Sequence, residues 1–74
     1  MLKLIKNYKT KELEKYGFIF DGYGNWIWGG NAYWCKKMYI NEAERVLHID
    51  LFNVDKCIDM VFDMIKDGVF DKGE

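Results

Sequence analysis

Three clusters of turn-forming residues punctuate the middle of this 74-residue chain: Asp21-Gly22-Tyr23-Gly24-Asn25, Gly29-Gly30-Asn31 and Asn41-Glu42-Ala43-Glu44. Between and around them lie short runs rich in β-branched and aromatic residues: Phe18 to Phe20, Trp26 to Trp28, Tyr33 to Ile40 and Arg45 to Phe52. Those residue types suit a pleated, half-buried surface. Connections this short cannot hold a crossover helix, so each strand pairs with its sequence neighbour. The expected centre is an antiparallel four-stranded meander.

Helices flank it. Thr10 to Tyr16 reads as a short helix, with Thr10 as N-cap, acids early, Lys15 late, and Gly17 where a left-handed cap is needed. Asn53 is the expected cap of a longer helix from Val54 to about Asp67, stopped by Gly68, with Val69 folding back on Met64. The fold class is therefore α+β, in the order α-β-β-β-β-α, with the helices on one sheet face. Residues 1–9 alternate apolar and basic and read as an extended lead-in or edge strand. Phe70 is expected to seal the sheet edge, and Asp71 to Glu74 to form a polar tail. The whole chain, 1–74, reads as one small domain.

The run from Arg45 to Phe52 alternates most cleanly. With Asn41 opposite Glu44, Met38 pairs with Leu47 and Trp34 with Leu51. The core face is then Trp34, Met38, Ile40, Leu47, Ile49 and Leu51. A one-residue slip would instead bury Tyr33, Cys35 and Tyr39. On the long helix, Val54, Cys57, Ile58, Val61 and Ile65 form a stripe widened by Met60, Phe62 and Met64. The apolar arc spans about 200°, roughly twice what one buried face requires. Such a helix is packed deeply or has a second partner.

Composition narrows the function classes. A chain this short buries only about 60% of the surface its unfolded form exposes, so it depends on large side chains. Its 13 aromatic residues meet that need. No apolar run approaches the roughly 20 residues of a membrane span, and no signal peptide is visible at the start. The expectation is a cytoplasmic protein whose Cys35 and Cys57 stay reduced. Residues 1–40 carry seven Lys against three acids, net +4, and residues 41–74 carry four cations against nine acids, net −5. A single Arg and a net charge of −1 disfavour nucleic acid as a partner.

Chemistry-bearing patterns are sparse. Cys35, His48, Asp50 and Cys57 lack the paired spacing of a metal site, and neither glycine cluster opens a helix as a phosphate loop would. There is no serine at all. No catalytic residue, cofactor or metal is expected, and the chain reads as a non-enzymatic binding protein. Two surfaces stand out. Asp55, Asp59, Asp63 and Asp67, continued by Asp71, repeat every four residues and form a carboxylate ladder on one helix face. Like charges at that spacing are mildly unfavourable, so recognition of a basic groove is one reading and a plain solvated face the other. The aromatic residues Tyr33, Tyr39, Phe52, Trp26 and Trp28 form the second candidate contact surface, against the reading that a small domain simply needs its rings inside.

Tyr8-Lys9-Thr10-Lys11-Glu12-Leu13, Tyr16-Gly17-Phe18 and the ending Phe62-Asp63-Met64-Ile65-Lys66-Asp67-Gly68-Val69 give the chain its general style. In that style it resembles short phage and mobile-element proteins of low-GC Gram-positive bacteria. The resemblance implies an inhibitor or accessory protein that binds a larger host or defence protein. A homo-oligomer is the alternative, and a single-strand nucleic-acid binder a more distant one.

Overall fold

The computed structural model describes residues 2–71. It is an α+β fold built on an antiparallel four-stranded sheet of β2 (Ile19–Phe20), β3 (Asn25–Trp28), β4 (Met38–Asn41) and β5 (Leu47–Ile49), in that spatial order. The long helix α1 (Val54–Lys66) follows. The short N-terminal helix, Thr10–Tyr16, is a 3-10 helix. Its N-cap is Lys9, and the Thr10 hydroxyl donates to Glu42 Oε1 instead (2.9 Å).

The lead-in holds a strand, β1 (Lys3–Leu4), but it is enclosed rather than at an edge. On one side it pairs with β6 (Phe70–Asp71), Leu4 opposite Phe70. On the other, Lys3 bridges Val46, and the Leu4 N–H donates to the Arg45 carbonyl. Apart from Asp71, the expected polar tail lies outside the described residues.

The β4–β5 register differs from the expected one by two residues: Met38 faces Ile49, Tyr39 faces His48 and Ile40 faces Leu47. The cause is a longer turn. The Asn41 side-chain oxygen accepts from the N–H groups of Ala43 and Glu44, which curls the chain, and Arg45 then takes a left-handed conformation, φ 63°. That conformation is uncommon for a residue with a Cβ. The Arg45 guanidinium compensates by donating to the carbonyls of Ile5 (2.7 Å) and Tyr8 (2.9 Å), binding the N-terminal segment to the turn. A shift of two preserves side-chain parity. Met38 and Ile40 are therefore buried, with Leu47 and Ile49 packed against them, as expected.

Trp34 and Leu51 do not join them. Tyr33–Cys35 is a turn of 3-10 helix, and the chain leaves the sheet again at a second such turn, Leu51–Asn53. The loop after β3 doubles back so tightly that a Cβ on Gly30 would lie 2.3 Å from the Cys35 carbonyl oxygen. Residues with strand-forming side chains are thus held off the sheet by backbone geometry.

The core lies between the sheet and both helices. Leu13 and Tyr16 of the 3-10 helix, Phe18, Trp26, Met38 and Ile40, and Cys57, Val61 and Met64 of α1 form one buried cluster, closed by Leu4 and Val69. Gly17 sits at φ 97°, beside the Trp28 indole, whose N–H donates to the Tyr16 carbonyl (2.8 Å) and so caps the 3-10 helix. At the far end of α1 the Val69 N–H donates to the Met64 carbonyl (3.2 Å), the expected Schellman closure.

Candidate functional site

The start of α1 is set from upstream. Asp50 accepts from the Phe52 N–H (3.0 Å) and from the Asn53 side-chain amide (2.9 Å), so Asn53 itself makes no side-chain cap to the helix. This seats the helix with Cys57, Val61 and Met64 inward. At about 100° per residue, Val54, Ile65, Ile58 and Phe62 then occupy about 80° of arc beside the buried face, and Asp55, Asp59 and Asp63 occupy roughly the next 80°. Val54, Ile58, Phe62 and Ile65 are exposed, and so are Leu51 and Phe52 in the turn leading into the helix. The expected stripe of Val54, Cys57, Ile58, Val61 and Ile65 is split: the core takes one half and solvent the other.

The carboxylate ladder is also divided. Asp55, Asp59 and Asp63 are exposed, and none forms an ion pair among the described residues. Asp67 is exposed as well but is engaged within the fold, accepting from the Tyr16 hydroxyl at 2.6 Å. Burial, followed by that hydrogen bond, raises the Tyr16 phenol above its ordinary value. Asp71 lies in β6 rather than on the helix. Lys66 reaches over the Phe62 ring, 5.5 Å from its centroid.

The aromatic residues fall into three places. Trp26 and Trp28 lie on the core face of β3, opposite Ile40 and Met38, and so leave the contact surface. The Trp26 indole N–H donates to Glu42 Oε1 (2.9 Å). This bond, then the one from Thr10, holds the Glu42 carboxyl below its ordinary value. Phe52 is 91% exposed, but it belongs to the turn leading into α1 and not to the sheet. Of these five, Tyr39 stands on the outer face of the sheet, in β4, and Tyr33 packs against it from the 3-10 turn. Their rings meet edge to face at 5.3 Å, and Tyr39 stacks on His48 at 4.7 Å. The hydrogen bond with Tyr33, then burial, pushes the Tyr39 phenol up to about 12. Lys36 Nζ sits 3.5 Å from the Tyr33 ring centroid. Beside this cluster Trp34 projects into solvent, 88% exposed, between grooves of ≈ 380 and ≈ 280 Å³.

The polar candidates are not brought together. Cys35 donates to Asn31 Oδ1 in its own loop, His48 faces Glu44 at 3.3 Å, and Cys57 is buried, its thiol raised by desolvation. Among the described residues no three His, Cys, Asp or Glu side chains are grouped to hold a metal ion, and no helix is long and apolar enough to cross a membrane.

The residues that stand out in the structure are thus Leu51, Val54, Ile58, Phe62 and Ile65, with Trp34 apart from them. The 200° apolar arc was the sequence signal for the helix group, and nothing local marked Trp34. No family model matches this sequence, and comparison with curated proteins and with solved structures finds no match.

Proposed function

We propose that this chain is a non-enzymatic protein-binding module that docks on a larger protein through the outward side of α1. The observation that carries the reading is the exposure of Val54, Ile58, Phe62 and Ile65 along one side of α1, with Leu51 and Phe52 exposed in the turn leading into it. Together they present roughly 500–600 Å² of apolar surface, at the upper end of the largest patch a monomer usually shows. At about 25 cal/mol per Å², covering it yields about 12–15 kcal/mol, comparable to the 4–15 kcal/mol cost of association. The apolar stripe alone supports only modest affinity. The adjoining carboxylates Asp55, Asp59 and Asp63 supply the polar rim that adds specificity and speeds encounter.

Site-specific photo-crosslinking tests this. A photoreactive phenylalanine analogue at Phe62 is expected to capture a discrete partner in a lysate of the native cells. The same analogue at Tyr23, which is 90% exposed but in the β2–β3 turn, should not. Ile58→Asn in the Phe62-labelled protein should abolish the adduct. Equal adducts from both positions, or an adduct indifferent to Ile58→Asn, would remove α1 as the docking surface.

A further inference from the structure

We infer that the partner presents an amphipathic helix whose apolar ridge is flanked by Lys or Arg. This rests on the docking reading of α1 and adds the chemical class of what docks. The outward side of α1 is a ridge. Five grooves among the described residues are walled by the sheet, the 3-10 helices, the turns and the N-terminal segment, and no α1 residue lines any of these five. A ridge spaced at Val54, Ile58, Phe62 and Ile65 fits the grooves between side chains of another helix, at an axis separation of about 8–10 Å. At that distance residues flanking the seam reach across it.

Charge chooses among possible occupants. Asp55, Asp59 and Asp63 run along one flank of the stripe, and the ion pairs among the described residues lie elsewhere, at Lys11–Glu14 and His48–Glu44. Lys66 lies within their arc at the C-terminal end, and Lys56 lies just beyond Asp63 on the side away from the apolar stripe, so three carboxylates stand against these two cations on that face. A second copy packed antiparallel about a two-fold axis would set the two carboxylate rows against each other along the same rim. Like charges facing each other oppose that pairing. An anionic membrane surface is disfavoured for the same reason, since interfacial helices carry cations beside their apolar face. A helix with cations beside its ridge satisfies both halves of the surface.

The test uses the full chain and two designed peptides of about 18 residues, or five helical turns. One is built of Leu and Lys, the other of Leu and Glu in the same pattern. Fluorescence anisotropy is expected to show the Leu/Lys peptide binding at least about tenfold more tightly than the Leu/Glu peptide, with affinity falling as salt screens the rim. Asp59→Lys with Asp63→Lys should reverse the preference. Ile58→Asn, which leaves the charge unchanged, should abolish binding. If both peptides bind equally and Ile58→Asn removes both, the face docks but the inferred partner chemistry is wrong. If neither peptide binds, or Ile58→Asn binds like the parent, the docking reading fails and takes this inference with it. Sedimentation showing a dimer that Ile58→Asn dissociates would identify a second copy as the occupant and overturn the proposal.

Discussion

Truncating Met64 and Ile58, two residues of one helix, should destabilise the fold to very different extents. Met64 is fully buried among the core side chains, whereas Ile58 is 55% exposed. Met64→Ala removes buried methylene and sulfur contacts and leaves a cavity, at a cost of about 2–5 kcal/mol. A chain of 74 residues has a total stability of only about 4–11 kcal/mol, so this is a large fraction of it. Ile58→Ala loses part of one side chain's cover and gains helix propensity, for a net cost below about 1 kcal/mol. Urea unfolding followed by tryptophan fluorescence reads both changes. With a slope of about 1 kcal/mol per M for a domain this small, Met64→Ala should lower the midpoint by about 2–5 M and Ile58→Ala by less than about 1 M. Equal shifts, or a larger one for Ile58→Ala, would refute the inward orientation assigned to α1.

Two further outcomes follow from side-chain placement. Trp34→Ala should melt within about 0.5 kcal/mol of the parent, since its ring lies in solvent. Trp26→Ala should cost about 3–5 kcal/mol, since its ring is 6% exposed and packed in the core. A thermal melt of each variant separates these. The Glu42 carboxyl should make stability pH-dependent. Hydrogen bonds from Trp26 and Thr10 depress its folded value below the ordinary 4.5. The stabilisation is therefore present above pH 4.5 and is lost as pH falls through the lower folded value. Urea midpoints measured across that acid range should fall less steeply in Glu42→Gln than in the parent, and identical slopes would refute the assignment.

The antiparallel order of the strands was legible because three turn clusters leave no chain for any other connection. Both helix ends were legible because Gly17 and Gly68 follow the last periodic residues, and Val69 closes on Met64 as its spacing requires. The β4–β5 register was not legible. It depends on the Asn41 side chain curling the turn and on Arg45 finding the carbonyls of Ile5 and Tyr8, some forty residues away in sequence. Tyr33, Trp34 and Cys35 carry strand-forming side chains, yet the tight return at Gly29 and Gly30 overrides that preference. On α1 the apolar arc was readable, but its rotation was not. An arc wide enough for two faces does not say which half meets the sheet, and the contacts of Cys57, Val61 and Met64 decide it. Trp26 and Trp28 were recognisable as sharing a face, but only their pairing with Ile40 and Met38 shows that the face is the core.

The most direct measurement is methyl and amide NMR of the isotope-labelled full chain during titration with the Leu/Lys peptide. Shifts are expected to concentrate at Leu51, Val54, Ile58, Phe62 and Ile65, with Met38, Ile40 and Met64 unmoved. Shifts centred on Tyr33, Trp34 and Tyr39 instead, or none anywhere, would contradict docking through α1.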